Sequence, residues 1–192
     1  MNLNLINRIS GGNHPEGVKL LYELAQESPT DRILELGSFV GKSAIVMASA
    51  LKDAGRKGTI LCIDRFANNI KWWGPGHPSY PEALKSFWEH ADYIGVSDYL
   101  VAIQSEITTA ISRMQGKFGM IYIDGGHTLE NVIPNALWAW DNLVEGGILL
   151  FDDYDHAGTH IWKDVKTCVD CLLVKWQRPI YKQAALMAAI KK

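Results

Sequence analysis

Five short, almost uninterrupted apolar runs are spaced along this chain: Arg32–Leu36, Thr59–Asp64, Tyr99–Ile103, Phe118–Asp124 and Gly147–Asp152. A strand with no polar face must be covered on both sides, which calls for a parallel sheet sandwiched between helices. Helical periodicity fills the intervals. Lys42–Asp53 carries Ile45, Val46 and Ala48, and a second stripe runs through Ile107, Ala110, Ile111 and Met114. A broader one runs through Leu129, Val132, Ile133, Ala136, Leu137 and Trp140. Pro134 interrupts it and predicts a kink or a late helix start. A helix over His14–Glu27 precedes the first strand. A helix near Ile161–Leu172 and two strands, near Leu173–Trp176 and Ala184–Ile190, complete the pattern. A (β/α)₈ barrel usually needs about 250 residues, and this chain has 192. The expected fold is therefore α/β, an open doubly wound sheet of seven mostly parallel strands with helices on both faces. At about 150 residues per domain, residues 1–192 form one domain.

Apolar residues make up 47% and charged residues 21%, the balance of a globular chain rather than a disordered one. A formal net charge of −2 argues against a dedicated nucleic-acid binder. No window approaches the ~18 apolar residues of a membrane span, and Met1–Ser10 lacks the apolar stretch of a signal peptide. Three cysteines suit a reducing compartment. These features predict a cytoplasmic protein without nucleic-acid or membrane partners, and they allow a homo-oligomer. Cys168-x-x-Cys171 lacks a second Cys/His pair and lies in a helical apolar segment, so it reads as packing rather than metal binding.

The first strand runs into Glu35-Leu-Gly37-Ser-Phe-Val-Gly41-Lys42-Ser43. A glycine turn here lets a ligand approach the backbone. A P-loop needs four residues between its first Gly and Gly-Lys-Ser, and Gly37 leaves three. The dinucleotide fingerprint needs Gly where Phe39 stands. The pattern that remains, Glu-x-Gly-x-x-x-Gly, resembles class I S-adenosylmethionine-dependent methyltransferases. Asp64, ending the second strand, adds weight, because a carboxylate there can accept both ribose hydroxyls. The resemblance implies S-adenosyl-L-methionine as cofactor, held by Glu35, Gly37, Ser38, Gly41, Ser43, Asp64 and Asp124. It puts the methionine portion by Gly37, Ser38 and Gly41 and the adenine near Gln104 and Ser105. Ser105 has a rival reading as the cap of the next helix.

The fourth strand ends Asp124-Gly-Gly-His127 and the fifth Asp152-Asp153-Tyr154. Neighbouring parallel strands bring these carboxylates together, where they need a proton or a cation. Oxygen ligands without a thiolate suit Mg²⁺, Ca²⁺ or Mn²⁺; the alternative is one Asp as a helix cap and another in an ion pair. Ile-Asp-Gly-x-His followed by Asp-Asp-Tyr resembles the macrocin O-methyltransferase and cephalosporin-hydroxylase-like group. That resemblance implies a Mg²⁺-type ion on Asp124, Asp152 and Asp153, with Asp124 and His127 as catalytic residues and His127 the candidate base. His127 also reads as a helix-start residue, and Asn135 stands where the group often has Asp. The expected activity is metal-assisted O-methylation of a small-molecule or sugar hydroxyl. The alternatives are a non-catalytic S-adenosylmethionine-binding module, an NAD-dependent oxidoreductase or a hydroxylase. Acceptor choice is expected in a lid around 65–80, with Trp72 and Trp73, and in 155–160, with His156 and His160 at the rim.

Overall fold

The computed structural model describes residues 3–6, 8–9, 14–66, 83–155 and 163–192. In chain order these form α1 (Leu3–Ile6), α2 (Pro15–Glu27), β1 (Arg32–Leu36), α3 (Lys42–Asp53), β2 (Thr59–Asp64) and α4 (Ala83–Ile94). A 3₁₀ turn (Ser97–Tyr99) leads to β3 (Leu100–Gln104), α5 (Ile107–Ile111), β4 (Phe118–Ile123) and α6 (Leu129–Asn142). Then come β5 (Leu143–Phe151), α7 (Lys163–Trp176), β6 (Ile180–Ala184) and β7 (Met187–Lys191).

The strands join in one seven-stranded sheet ordered β3-β2-β1-β4-β5-β7-β6. β1 to β5 pair in parallel, and β7 runs antiparallel to both its neighbours. Side chains alternate between the faces of a strand. Ile33, Ile60, Cys62, Met120, Tyr122, Ile148 and Leu150 therefore share one face, packed with Leu21, Leu24, Ile45 and Phe87 of α2, α3 and α4. Leu34, Leu36, Ile63, Ile121, Ile123, Leu149 and Phe151 share the other, packed with Val132, Ala136, Val165 and Val169 of α6 and α7. The double coverage explains why the strands read as continuous apolar runs. The chain leaves β1 toward β2 and β3, then returns to β4 on the opposite side. A crevice therefore opens at the carboxyl ends of β1 and β4, where open α/β sheets bind ligands.

One expectation needs correction and two are narrowed. Leu173–Trp176 is not a strand but the last turn of α7. The buried stripe Val165, Cys168, Val169, Leu172 carries the helical period forward, and Trp176 stacks on Trp140 with ring centroids 4.1 Å apart. Val174 points outward, 79% exposed. α6 does not start late: it begins at Leu129 and continues through Pro134. Buried Val132, Ala136 and Ala139 hold it to the sheet on both sides of the proline, and Asp164 of α7 accepts the Leu129 N–H at 3.3 Å. Of the two cysteines read as packing, Cys168 is buried and Cys171 is exposed. Among the described residues no helix is long and apolar enough to cross a membrane. Beyond Arg65 and Phe66, the expected lid lies outside the described residues, as do Trp72, Trp73, His156 and His160.

The corrected end of α7 separates two neighbours that a strand would put on one face. Trp176→Ala should lower stability by about 2 kcal/mol through loss of the stacked ring. Val174→Ala should stay within about 0.5 kcal/mol of the parent. Urea unfolding of the two variants measures both; equal losses would contradict the helical assignment.

Candidate active site

The parallel hydrogen-bond ladder does not stop where the strands end. Gly37 N–H donates to Ile63 O and Asp124 N–H to Leu36 O, each at 2.9 Å. Asp152 N–H donates to Ile123 O at 3.0 Å and Ser105 N–H to Asp64 O at 2.9 Å. The loops after β1, β3, β4 and β5 are thus drawn into register at the carboxyl end of the sheet. The tightest approach is at Gly37 (φ +98°), where a β-carbon would lie 2.7 Å from the carbonyl of Asp124 and from Gly125 N. Only glycine fits both that backbone angle and that contact. Gly41 (φ +88°) closes the loop, and a β-carbon there would meet the Phe87 ring at 2.6 Å.

Asp64 does more than its position suggested. Its Oδ2 accepts the N–H groups of Ser38 at 2.8 Å and Phe39 at 2.9 Å, and its Oδ1 accepts Phe66 N–H at 2.7 Å. Phe39 and Phe66 both take left-handed backbone angles, φ 45° and 48°. The carboxylate thereby fixes the glycine loop, and acceptor capacity remains on Oδ1. Nearby, Gln104 Nε2 donates to Arg65 O at 3.1 Å and Ser105 Oγ to Glu106 O at 3.1 Å. The cap position of α5 belongs to Glu106, so the rival reading of Ser105 as that cap falls away.

Beneath the loop, Cys62, Glu35 and Tyr122 form a row across β2, β1 and β4 on the α3 face. Glu35 is fully buried, and neither of its oxygens completes a hydrogen bond; the same holds for Ser38 Oγ. Burial pushes the Glu35 carboxyl up to about 7, against the nearby Ser38 and Ser43 hydroxyls, which pull it down. Lys42, in the first turn of α3, is buried, and that burial lowers its pKa.

The acids at the ends of β4 and β5 meet as expected. Asp124, His127 and Asp153 each offer a ligand atom, all within 4.8 Å of one another. His127 Nε2 lies 2.8 Å from Asp153 Oδ2. Asp152 stands outside that set and hydrogen-bonds Tyr122 and Asp124 instead. Burial, then Asp152, Asp153 and Glu35, hold Asp124 well above the usual carboxylate range. Burial and Asp153 raise Asp152 to about 6. The acids line a shallow cleft whose apolar wall is Val132, Phe151 and Val165. Asn135 is buried on α6, its Oδ1 without a hydrogen-bond partner. Tyr122 was not foreseen: its hydroxyl lies 3.5 Å from Asp124 Oδ2. The signal was its place two residues before Asp124, hence on the same face of β4.

Residues 34–154 match the model of a family described as a methyltransferase domain, and the chain belongs to that family. Its seven-stranded sheet is the fold of class I methyltransferases. Similar solved structures include an O-methyltransferase from Bacillus cereus in complex with SAH, at a TM-score of 0.70 and 14% identity, covering 99% of this chain and 88% of that one. O-methyltransferase TomG from Streptomyces achromogenes, involved in tomaymycin synthesis and in complex with SAM, matches at 0.67 and 17%, covering 95% and 82%. O-methyltransferase NovP matches at 0.70 and 12%, covering 91% and 78%.

The buried Glu35 carries a pH signature. Its folded pKa of about 7 exceeds the ordinary 4.5, so the folded state holds the proton more tightly. This group's contribution to stability is complete below pH 4.5 and is lost as pH rises toward and through 7, about 3 kcal/mol in all. Glu35→Gln should remove that decline and raise stability at pH 8. Denaturant unfolding at pH 5 and pH 8 reads the difference; an unchanged pH slope would contradict it.

Proposed function

We propose that the protein transfers a methyl group from S-adenosyl-L-methionine to a hydroxyl oxygen of a small-molecule or sugar acceptor, with a divalent cation such as Mg²⁺ at the acid edge. One observation carries this reading: the ladder extension brings the Gly37–Gly41 loop, Asp64 and the Asp124–His127–Asp153 group to the same crevice. The residues suit both groups. The unpartnered oxygens of Glu35 and Ser38 suit the donors of a polar cofactor lying on the loop. The Asp124 and Asp153 carboxylates, each with an oxygen within 4.8 Å of the other, suit a hard divalent cation, which would offset the crowding that raises Asp124.

In this reading Gly37, Ser38, Gly41 and Ser43 cradle the methionine portion. Asp64 offers its remaining acceptor capacity to the ribose, and Gln104 and Ser105 border the adenine. Asp124 and Asp153, supported by Asp152, hold the cation. When bound, the donor supplies a sulfonium methyl, and the cation supplies the charge that makes a neighbouring hydroxyl more acidic. The protein's own task is alignment, worth about 7–11 kcal/mol in an in-line displacement. His127 takes the acceptor's proton, and its contact with Asp153 orients the ring. Val132, Phe151 and Val165 give that side of the cleft an apolar wall.

Two variants test the division of roles. Asp124→Asn should abolish formation of S-adenosylhomocysteine with phenol and sugar acceptors while calorimetry still shows S-adenosylmethionine binding. His127→Gln should slow transfer about 10²–10⁴-fold and leave Mn²⁺ affinity unchanged. Loss of cofactor binding in the first would make Asp124 a cofactor residue. Loss of Mn²⁺ affinity in the second would make His127 a metal ligand rather than the base.

A further inference from the structure

Asp153 is the one acid of the group held in the left-handed region, at φ 55°. That angle turns the chain sharply after β5 and aims the carboxylate at His127, 2.8 Å away. Such a conformation persists in a non-glycine residue only where its surroundings fix it. The next residue supplies the fixing. Tyr154 N–H donates to Leu186 O at 2.6 Å, which ties the turn to the segment between β6 and β7. Its side chain is buried against Val165, Cys168 and Val169 of α7. Its hydroxyl donates to Asp170 Oδ1 at 2.8 Å, while Lys166 Nζ reaches the hydroxyl at 3.2 Å and Asp170 Oδ2 at 2.9 Å. The Lys166 ammonium also lies 4.6 Å from the centre of the Tyr154 ring.

Neither Asp170 nor Lys166 lines the acid cleft. They lie on α7, one turn apart, and both hydrogen-bond the Tyr154 hydroxyl. We infer that Tyr154, Asp170 and Lys166 form a clamp on α7 that positions the Asp153 carboxylate, and through it the cation site; they are positioning residues and contact no reacting atom. This rests on the cation reading above. It assigns the Tyr of Asp-Asp-Tyr a task separate from the two acids: it locks the turn between them and α7.

The test uses the full chain, with Mn²⁺ alone as probe. Tyr154→Phe and Asp170→Ala should each weaken Mn²⁺ binding about tenfold, the range for residues that orient a metal's ligands. The double variant should be no weaker than either single one, because both break the same link. Asp170→Asn, which keeps an oxygen for the tyrosine hydroxyl, should return affinity to within about twofold of the parent. In metal-free protein, Tyr154→Phe should speed amide exchange at Tyr154 about tenfold and leave the β4 amides unchanged. Parent-like Mn²⁺ affinity in Tyr154→Phe would overturn the clamp, and so would failure of the Asn rescue or equal acceleration of the β4 amides. If the parent protein binds no Mn²⁺, the cation reading fails. The exchange measurement then decides the clamp alone: local acceleration at Tyr154 supports it and an unchanged rate overturns it.

Discussion

The backbone contact between Gly37 and Asp124–Gly125 governs the geometry of the site. It lets the β1 loop lie directly against the β4 loop while each continues the sheet's hydrogen-bond ladder. Gly125 is pressed from the other side, where a β-carbon would meet Leu36 O at 2.9 Å. A side chain at either glycine would push the loops apart and break the register that brings the acids to the glycine loop. The switch of strand order between β1 and β4 creates the crevice, and this contact sets its width.

Electrostatics then gives the crevice its character. Two carboxylates about 4 Å apart repel by about 4 kcal/mol at an effective dielectric of 20. Burial first, and neighbouring carboxylates second, raise Asp124, Asp152 and Glu35. The fold tolerates the crowding by pinning each acid differently. Asp64 accepts three backbone N–H groups, Asp152 pairs with Tyr122 and Asp124, and Asp153 faces His127. Such crowding is costly unless a proton or a counter-charge offsets it.

Much of this was legible in the sequence because it depends on strand ends and on period. Arg32–Leu36, Lys42–Asp53 and Thr59–Asp64 match the observed elements, since the two apolar runs flank a 3.6-residue stripe and alternate with it as a βαβ unit requires. Strand-end position alone brought Asp64, Asp124, Asp152 and Asp153 to one edge. What stayed hidden depends on angles or on distant partners. The Leu172-Leu173-Val174 run suits a strand or a helix, and only exposure of Val174 and stacking of Trp176 on Trp140 separate them. The bracing of the loop by Asp64 requires the left-handed backbone of Phe39, which no residue preference announces. The link from Tyr154 to Asp170 spans 16 residues and follows from the packing of α7.

The central claim is that the methyl donor and the cation share one crevice, a few ångströms apart. Paramagnetic broadening measures this directly, with donor labelled by ¹³C at the transferred methyl and Mn²⁺ in place of Mg²⁺. The methyl resonance of the bound donor should broaden strongly with Mn²⁺ in the parent protein and stay sharp with Mn²⁺ in Asp124→Asn. A methyl signal as sharp with Mn²⁺ as with Mg²⁺ in the parent protein would contradict the account.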